Sequence, residues 1–162
     1  MKYLLLFITL LTINATHAQT QEDFDEMGHK VLSMVTDSVP AQVLPFIRRN
    51  EYFEVVDKQP ISDNQKSILK QKLNIDLTDQ HTVMQNSLEG LRETYAIERE
   101  EGATFEYHET IHELMDRSVD TYTVKTTYLY KNGKTQTLVS FIYDVAWLGN
   151  RFVLIGEIKE DF

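Results

Sequence analysis

The chain has 162 residues, 42% of them hydrophobic and 25% charged, and it has no cysteine. This is the profile of one ordinary globular domain; it excludes a disordered tail, a collagen-like rod and a multi-pass membrane protein. Sixteen Lys and Arg against 25 Asp and Glu give a formal net charge of −9. A phosphate backbone is repelled by that balance, which argues against nucleic acid as a partner.

Met1 to Ala18 reads as a secretory signal peptide. Lys2 supplies the positive start, residues 3–13 an apolar run too short to span a bilayer comfortably, and Thr16-His17-Ala18 small residues at the −3 and −1 positions. Cleavage is expected before Gln19, leaving residues 19–162. Losing Lys2, the one charged residue of the segment, takes the net charge from −9 to −10. The expected address is bacterial, periplasmic or secreted, with no membrane attachment once the signal is removed. The lack of cysteine excludes a lipoprotein anchor, disulfides, thiolate metal sites and Cys nucleophiles.

Residues 21–101 read as helices. Phe24, Met27, Val31 and Met34 recur at three- and four-residue steps and predict a helix over 21–36. Val43, Leu44, Ile47 and Phe53 suggest a short helix near 41–55, broken by Asp57 to Pro60. Ser62 caps a third, with Ile68, Leu69 and Leu73. Thr78 caps a fourth and longest, with Val83, Met84, Leu88, Leu91 and Tyr95 as its apolar face. It ends at Gly102, which can take a left-handed C′ conformation.

From residue 103 the apolar period becomes two. Turn signals at Asp116 to Asp120, Asn132-Gly133 and Gly149-Asn150 divide the rest into four strands, about 103–115, 121–131, 134–148 and 151–160. A two-residue loop at 132–133 sets Tyr128 opposite Thr137, Thr126 opposite Val139, Val124 opposite Phe141 and Tyr122 opposite Tyr143. A loop at 149–150 sets Trp147 opposite Phe152, Val145 opposite Leu154, Tyr143 opposite Gly156 and Phe141 opposite Ile158. Both hairpins put one aromatic set on one face. The reverse face is mostly polar, with Leu138, Ile142 and Ile155 as an apolar minority that marks a possible contact surface. The expected fold class is therefore α+β, with N-terminal helices packed on one face of a four-stranded antiparallel C-terminal meander.

That order of elements, together with the closing hairpin Asp144-Val145-Ala146-Trp147-Leu148-Gly149-Asn150-Arg151-Phe152-Val153-Leu154-Ile155-Gly156-Glu157-Ile158, resembles the small exported NTF2-like and cystatin-like α+β rolls of bacteria. The helical stretch at 41–76 departs from the simplest plan of that superfamily. The resemblance implies a conical cavity between sheet and helices and implies no particular activity.

Two constellations carry candidate chemistry. His108-Glu109-Thr110-Ile111-His112 matches H-E-x-x-H, which on a helix places two His side chains one turn apart on a zinc ion with the Glu as general base. On a strand, residues four apart lie ~13 Å from one another, and no single zinc bridges that pair. Thr104, Phe105, Tyr107, Thr110 and Ile111 favour the strand. On that reading Glu109 and Glu113 join Phe105, Tyr107 and Ile111 on the aromatic face, beside Tyr122, Tyr128 and Tyr143. There they form an acid/base pair or a polar anchor for a ligand, unless a bulge leaves both exposed. Arg48-Arg49 reads as a solvated helix end, and His29 and His81 as surface residues. No phosphate loop, nucleophile elbow or Ca²⁺ loop is present in the sequence.

The leading expectation is an exported module without a cofactor that binds a small ligand or a protein partner. The alternatives are a zinc hydrolase using His108, His112 and Glu109, and a metal-free acid/base enzyme using Glu109 and Glu113.

Overall fold

A computed structural model describes residues 19–37, 46–58, 60–117 and 120–161, with side chains except those of 72–80. The expected signal peptide and the stretch holding Pro40, Val43, Leu44 and Pro45 lie outside the described residues. The chain is α+β, with helices first and an open antiparallel sheet after them.

Helix α1 (Gln21–Thr36) has the bounds its apolar spacing predicts. Thr20 and Asp23 close a capping box in which each side chain meets the other's backbone N–H, an arrangement worth about 1 kcal/mol. Phe24, Met27, Gly28, Val31, Met34 and Val35 form its buried stripe. Helix α2 (Arg49–Lys58) starts later than its sequence suggests. Phe46 instead forms a parallel bridge to Leu154, and the Ile47 N–H donates to the Leu154 carbonyl at 3.2 Å. This stretch is extended because it borders the sheet, a long-range partner that helical periodicity does not register.

Helix α3 (Asp63–Glu100) is one continuous helix of 38 residues where two were expected. Ser62 caps it as predicted, in a box with Gln65. Thr78 falls in its interior. No Gly or Pro interrupts residues 63–89, so a capping residue alone does not end the helix. Gly102, at φ +104, closes it as expected. Met84, Leu88 and Tyr95 are buried, but Val83 is 47% exposed and so leaves the predicted core.

The strands are β1 (Thr104–Asp116), β2 (Thr121–Asn132), β3 (Thr135–Trp147), β4 (Phe152–Leu154) and β5 (Lys159–Asp161). They run β1-β2-β3, and β4 and β5 share the remaining edge of β3. The β2–β3 turn is Gly133-Lys134, one residue later than predicted, so Asn132 pairs with Thr135 and Tyr128 with Val139. Gly133 alone carries a positive φ, +58, the pattern of a type II′ turn and not of type I′. Because one residue shifts on each strand, every side chain keeps its predicted face while its partner changes.

The β3–β4 hairpin has the predicted register, Trp147 to Phe152 and Val145 to Leu154. Past Leu154 the ladder stops and resumes two residues out of phase, with Phe141 against Glu160 and not Ile158. Tyr143 does not face Gly156. That glycine sits under the Asp144 side chain, where a Cβ would lie 3.1 Å from a carboxylate oxygen.

The main core fills the space between α1, α3 and the aromatic face. A smaller one, Ile47, Ala146 and Val153 with Tyr52, Leu148 and Ile155 at its margin, lies on the reverse face at the β3–β4 end.

Candidate functional site

The H-E-x-x-H segment lies on β1, the edge strand, so its two imidazoles do not share adjacent helical turns. A bulge at His108 decides the rest. Tyr107 pairs with Tyr128 and Glu109 with Thr127, so one extra residue enters β1 between them. Before the bulge, Phe105 and Tyr107 pack on the main core. After it the phase is reversed: Thr110 is opposite Thr126 and His112 opposite Val124 on the core face.

Glu109, Ile111 and Glu113 therefore point to the reverse face, and both carboxylates are exposed. They do not join Tyr122, Tyr128 and Tyr143; the bulge that the sequence left open as the alternative keeps both exposed. Without the bulge Glu109 would take the place of Thr110 against Gly28, where an unpartnered carboxylate is costly; the bulge puts a small hydroxyl there and sets the His112 ring against Phe24. His112 stacks on Phe24 with ring centroids 3.7 Å apart and planes 5° from parallel. His108 is exposed in the bulge. Among the described residues no three His, Asp or Glu side chains are grouped as a metal ion needs.

The tyrosines fill the space assigned to a cavity. Tyr128 and Tyr143 are fully buried. The Tyr128 hydroxyl donates to the Gly28 carbonyl at 2.6 Å. The hydroxyls of Tyr143 and Thr126 are 2.7 Å apart, and those of Thr126 and Thr110 3.2 Å. Tyr107 donates to Asp25 at 2.7 Å and accepts from the Thr110 hydroxyl at 3.0 Å, and Gln21 donates to the Thr110 carbonyl at 2.9 Å. Tyr122 donates to Gln19 at 3.1 Å. Among the described residues no buried side-chain nitrogen or oxygen lacks a partner.

Gly28 sets the closeness of this packing. A Cβ there would lie 2.8 Å from the Thr126 methyl and 2.9 Å from the Thr110 hydroxyl. Burial raises the phenols of Tyr128 and Tyr143 far above their ordinary value. Burial also raises Tyr107 and Tyr122, with Asp25 adding to the first and Asp120 to the second. These phenols are held neutral and bonded to hydroxyl, carboxylate, amide and carbonyl groups, which makes a tightly satisfied core.

Surface clefts are present among the described residues, two of them beside α1 and α2. One of about 400 Å³ lies between α2 and α3, lined by Phe53, Asp57, Lys66 and Lys70. Its charges already satisfy each other: Lys70 bonds both Asp57 carboxylate oxygens, at 2.6 and 2.7 Å, and Lys66 donates to the Asp57 carbonyl. The other, about 80 Å³, lies where α1 meets the β3–β4 turn and is lined by Glu26, Lys30, Trp147 and Arg151.

Comparison with protein families, curated proteins and solved structures returns no match.

The chain's own geometry thus carries the functional argument. The residues that organise the interior and that the sequence reading passed over are Gln21, Asp25, Gly28 and Thr110. Their signals are a glycine inside an otherwise apolar helical stripe, and the three-residue step from Tyr107 to Thr110 that breaks the period of two. Arg48 and Arg49 are exposed, as expected, but at the start of α2. His81 is half-buried, with Nε2 2.8 Å from the Ile47 carbonyl oxygen, and so ties α3 to the edge stretch beside β4.

Proposed function

We propose that this is an exported module that binds a protein partner through the reverse face of its sheet. The carrying observation is the contrast between the two faces. The aromatic face is sealed by α1 down to a Gly28 that admits no methyl group. Beyond the small core at the β3–β4 end, the reverse face leaves Leu138 57% and Ile111 53% exposed, with Leu129 beside Leu138 and Ile142 one strand from Lys125. Exposed branched side chains on one sheet face, with Glu109 and Glu113 flanking Ile111 and the Lys125–Asp161 pair set between Ile111 and Ile142, have the mixed apolar and charged make-up of a partner site. Helices that precede a meander and pack on its aromatic face support a relation to the NTF2-like or cystatin-like roll. In this chain, side chains take the place of that roll's cavity.

The test uses a double variant, Ile111→Glu with Leu138→Glu, which alters exposed positions and leaves the core intact. Protein recovered from the periplasm or medium should begin at or near Gln19 by mass spectrometry. It should co-purify with one near-stoichiometric protein that the double variant loses at least tenfold. Equal recovery by the variant, or a chain retaining residues 1–18 in the inner membrane, would overturn the reading.

A further inference from the structure

Strand β1 runs 13 residues against β2 and has no strand on its other side. The pairing of β2 decides which backbone groups of β1 are open. Asn132 and Thr135 flank the two-residue Gly133-Lys134 turn, so they form a hydrogen-bonded pair. From that pair the β2–β3 register runs unbroken to Thr121. Alternate residues of β2 therefore bond to β3. Those between them, Thr123, Lys125 and Thr127, bond to Glu113, Ile111 and Glu109 of β1. Thr110, His112 and Leu114 turn their N–H and C=O groups outward. The Thr110 carbonyl bears this out, since it accepts from the Gln21 side chain of α1 at 2.9 Å. Among the described residues nothing bonds to the outward groups of His112 and Leu114.

The open stretch is 109–114, bounded by the two bulges of β1 and about 20 Å long. The His112 ring, stacked on Phe24, holds it against α1. Edges that stay unpaired often carry Lys or Pro, and β1 has neither. A series of outward N–H and C=O groups is satisfied by an extended chain laid alongside.

Charge selects that chain. Glu109, Ile111 and Glu113 stand in a row on the reverse face. Towards an added strand they occupy the non-hydrogen-bonded positions, where cross-strand side chains come closest. Among the described residues neither glutamate has an ion pair: Lys125, opposite Ile111, is held by Asp161 at 2.5 Å, and Lys131 by Glu106 at 2.6 Å. A second copy of β1 is a poor occupant, because bringing Ile111 against Ile111 sets each Glu109 opposite the other copy's Glu113. The net charge of −9 adds to that repulsion. An apolar residue with Lys or Arg two positions to either side meets all three side chains. We propose that β1 takes up an extended basic segment of a partner protein as an added strand along 109–114. This rests on the reading of the reverse face as a partner site and adds how the partner docks.

The probe is the capped peptide Thr-Lys-Thr-Ile-Thr-Lys-Thr, titrated into ¹⁵N-labelled protein. The expected dissociation constant is below about 1 mM and rises about threefold or more between about 0.05 and 0.5 M salt. Amide shifts and slowed exchange should centre on Thr110, His112 and Leu114. N-methylation of the two threonines beside the peptide's isoleucine removes the bonds to β1 and should abolish binding. N-methylation of that isoleucine, whose N–H faces away, should change the constant by less than about twofold. Glu109→Lys with Glu113→Lys alters exposed positions, so the β2 and β3 amide signals should stay in place. It should weaken the lysine peptide about tenfold or more and bind instead the peptide with glutamate for lysine.

No binding at about 1 mM, binding that survives N-methylation of the threonines, or an unchanged affinity in the charge-reversed variant would each overturn strand addition. The co-purified protein separates the two readings. If Ile111→Glu with Leu138→Glu loses it and Glu109→Lys with Glu113→Lys keeps it, strand addition fails and the reverse-face site stands. If the peptide binds as expected and only the charge-reversed variant loses the partner, strand addition stands and the reverse-face site fails.

Discussion

The two ends of α3 are held in opposite ways. From Met84 onward the helix is built into the roll. Met84, Leu88 and Tyr95 are buried, Ser87 donates to the Ile158 carbonyl at 2.6 Å, and Arg92 donates to the Met34 carbonyl at 2.6 Å. Tyr95 donates to Glu160 at 2.5 Å, and Arg99 ties to Thr36 and Asp37 at the end of α1. Between Asp63 and Gln71 no residue is buried, and Ile68 and Leu69 are open. That end meets α2 through charges: Asp57 with Lys66 and Lys70, and Lys70 over the Phe53 ring at 5.4 Å. One helix therefore joins a packed region to an electrostatically tethered arm. Burial removes apolar surface from water at roughly 25 cal/mol per Å², whereas exposed ion pairs contribute about 0–1 kcal/mol each. Local opening should begin in the arm.

The largest break in this contrast is alkaline pH. Burial, with the Glu160 contact added for Tyr95, raises the phenols of Tyr95, Tyr128 and Tyr143 above 10.0. A phenol whose folded pKa is raised contributes stability that is complete below the unfolded value and lost as pH climbs past it. Stability should be level across neutral pH and fall steeply above about pH 10, with tyrosine ionisation and loss of the sheet signal appearing together. Phenols that ionise near 10.0 without unfolding would contradict the burial argument.

Next in size, Tyr143→Ala removes a fully buried ring from the hydroxyl chain and should cost about 3–4 kcal/mol in denaturant unfolding. A loss below about 1 kcal/mol would show that the aromatic face is not the core. Gly28→Ala follows: the added methyl meets Thr110 and Thr126, and the strain should exceed the gain in helix propensity by about 1–2 kcal/mol. A more stable Gly28→Ala protein would mean that α1 sits farther from the sheet. Lys70→Ala, which breaks the best-formed contact of the arm, should change global stability by no more than about 0.5 kcal/mol. Its effect should appear as faster hydrogen exchange in α2 and the first turns of α3, with β2 and β3 unaffected. Equal acceleration in the sheet would mean the arm and the roll unfold as one unit.

What the sequence by itself determined was whatever short-range patterns encode. The bounds of α1, the Ser62 cap, the Gly102 stop, three of the four expected strands and the face of each residue in β2 and β3 follow from capping chemistry and from periods of 3.6 and two. These depend on neighbours a few residues away. Tertiary structure decided the features whose physical cause is distant in the chain. Residues 46–48 are extended because β4 offers an edge. The expected fourth strand divides into β4 and β5 as Ile158 enters the core and Gly156 passes under Asp144. The candidate site turned on a single residue: Glu109 and Glu113 share a face with each other at any strand phase, but the bulge at His108 chooses which face. α1 bears on that choice at Gly28, which packs on the Thr110 hydroxyl where an unshifted strand would place Glu109, because a carboxylate without a partner is too costly beneath a helix.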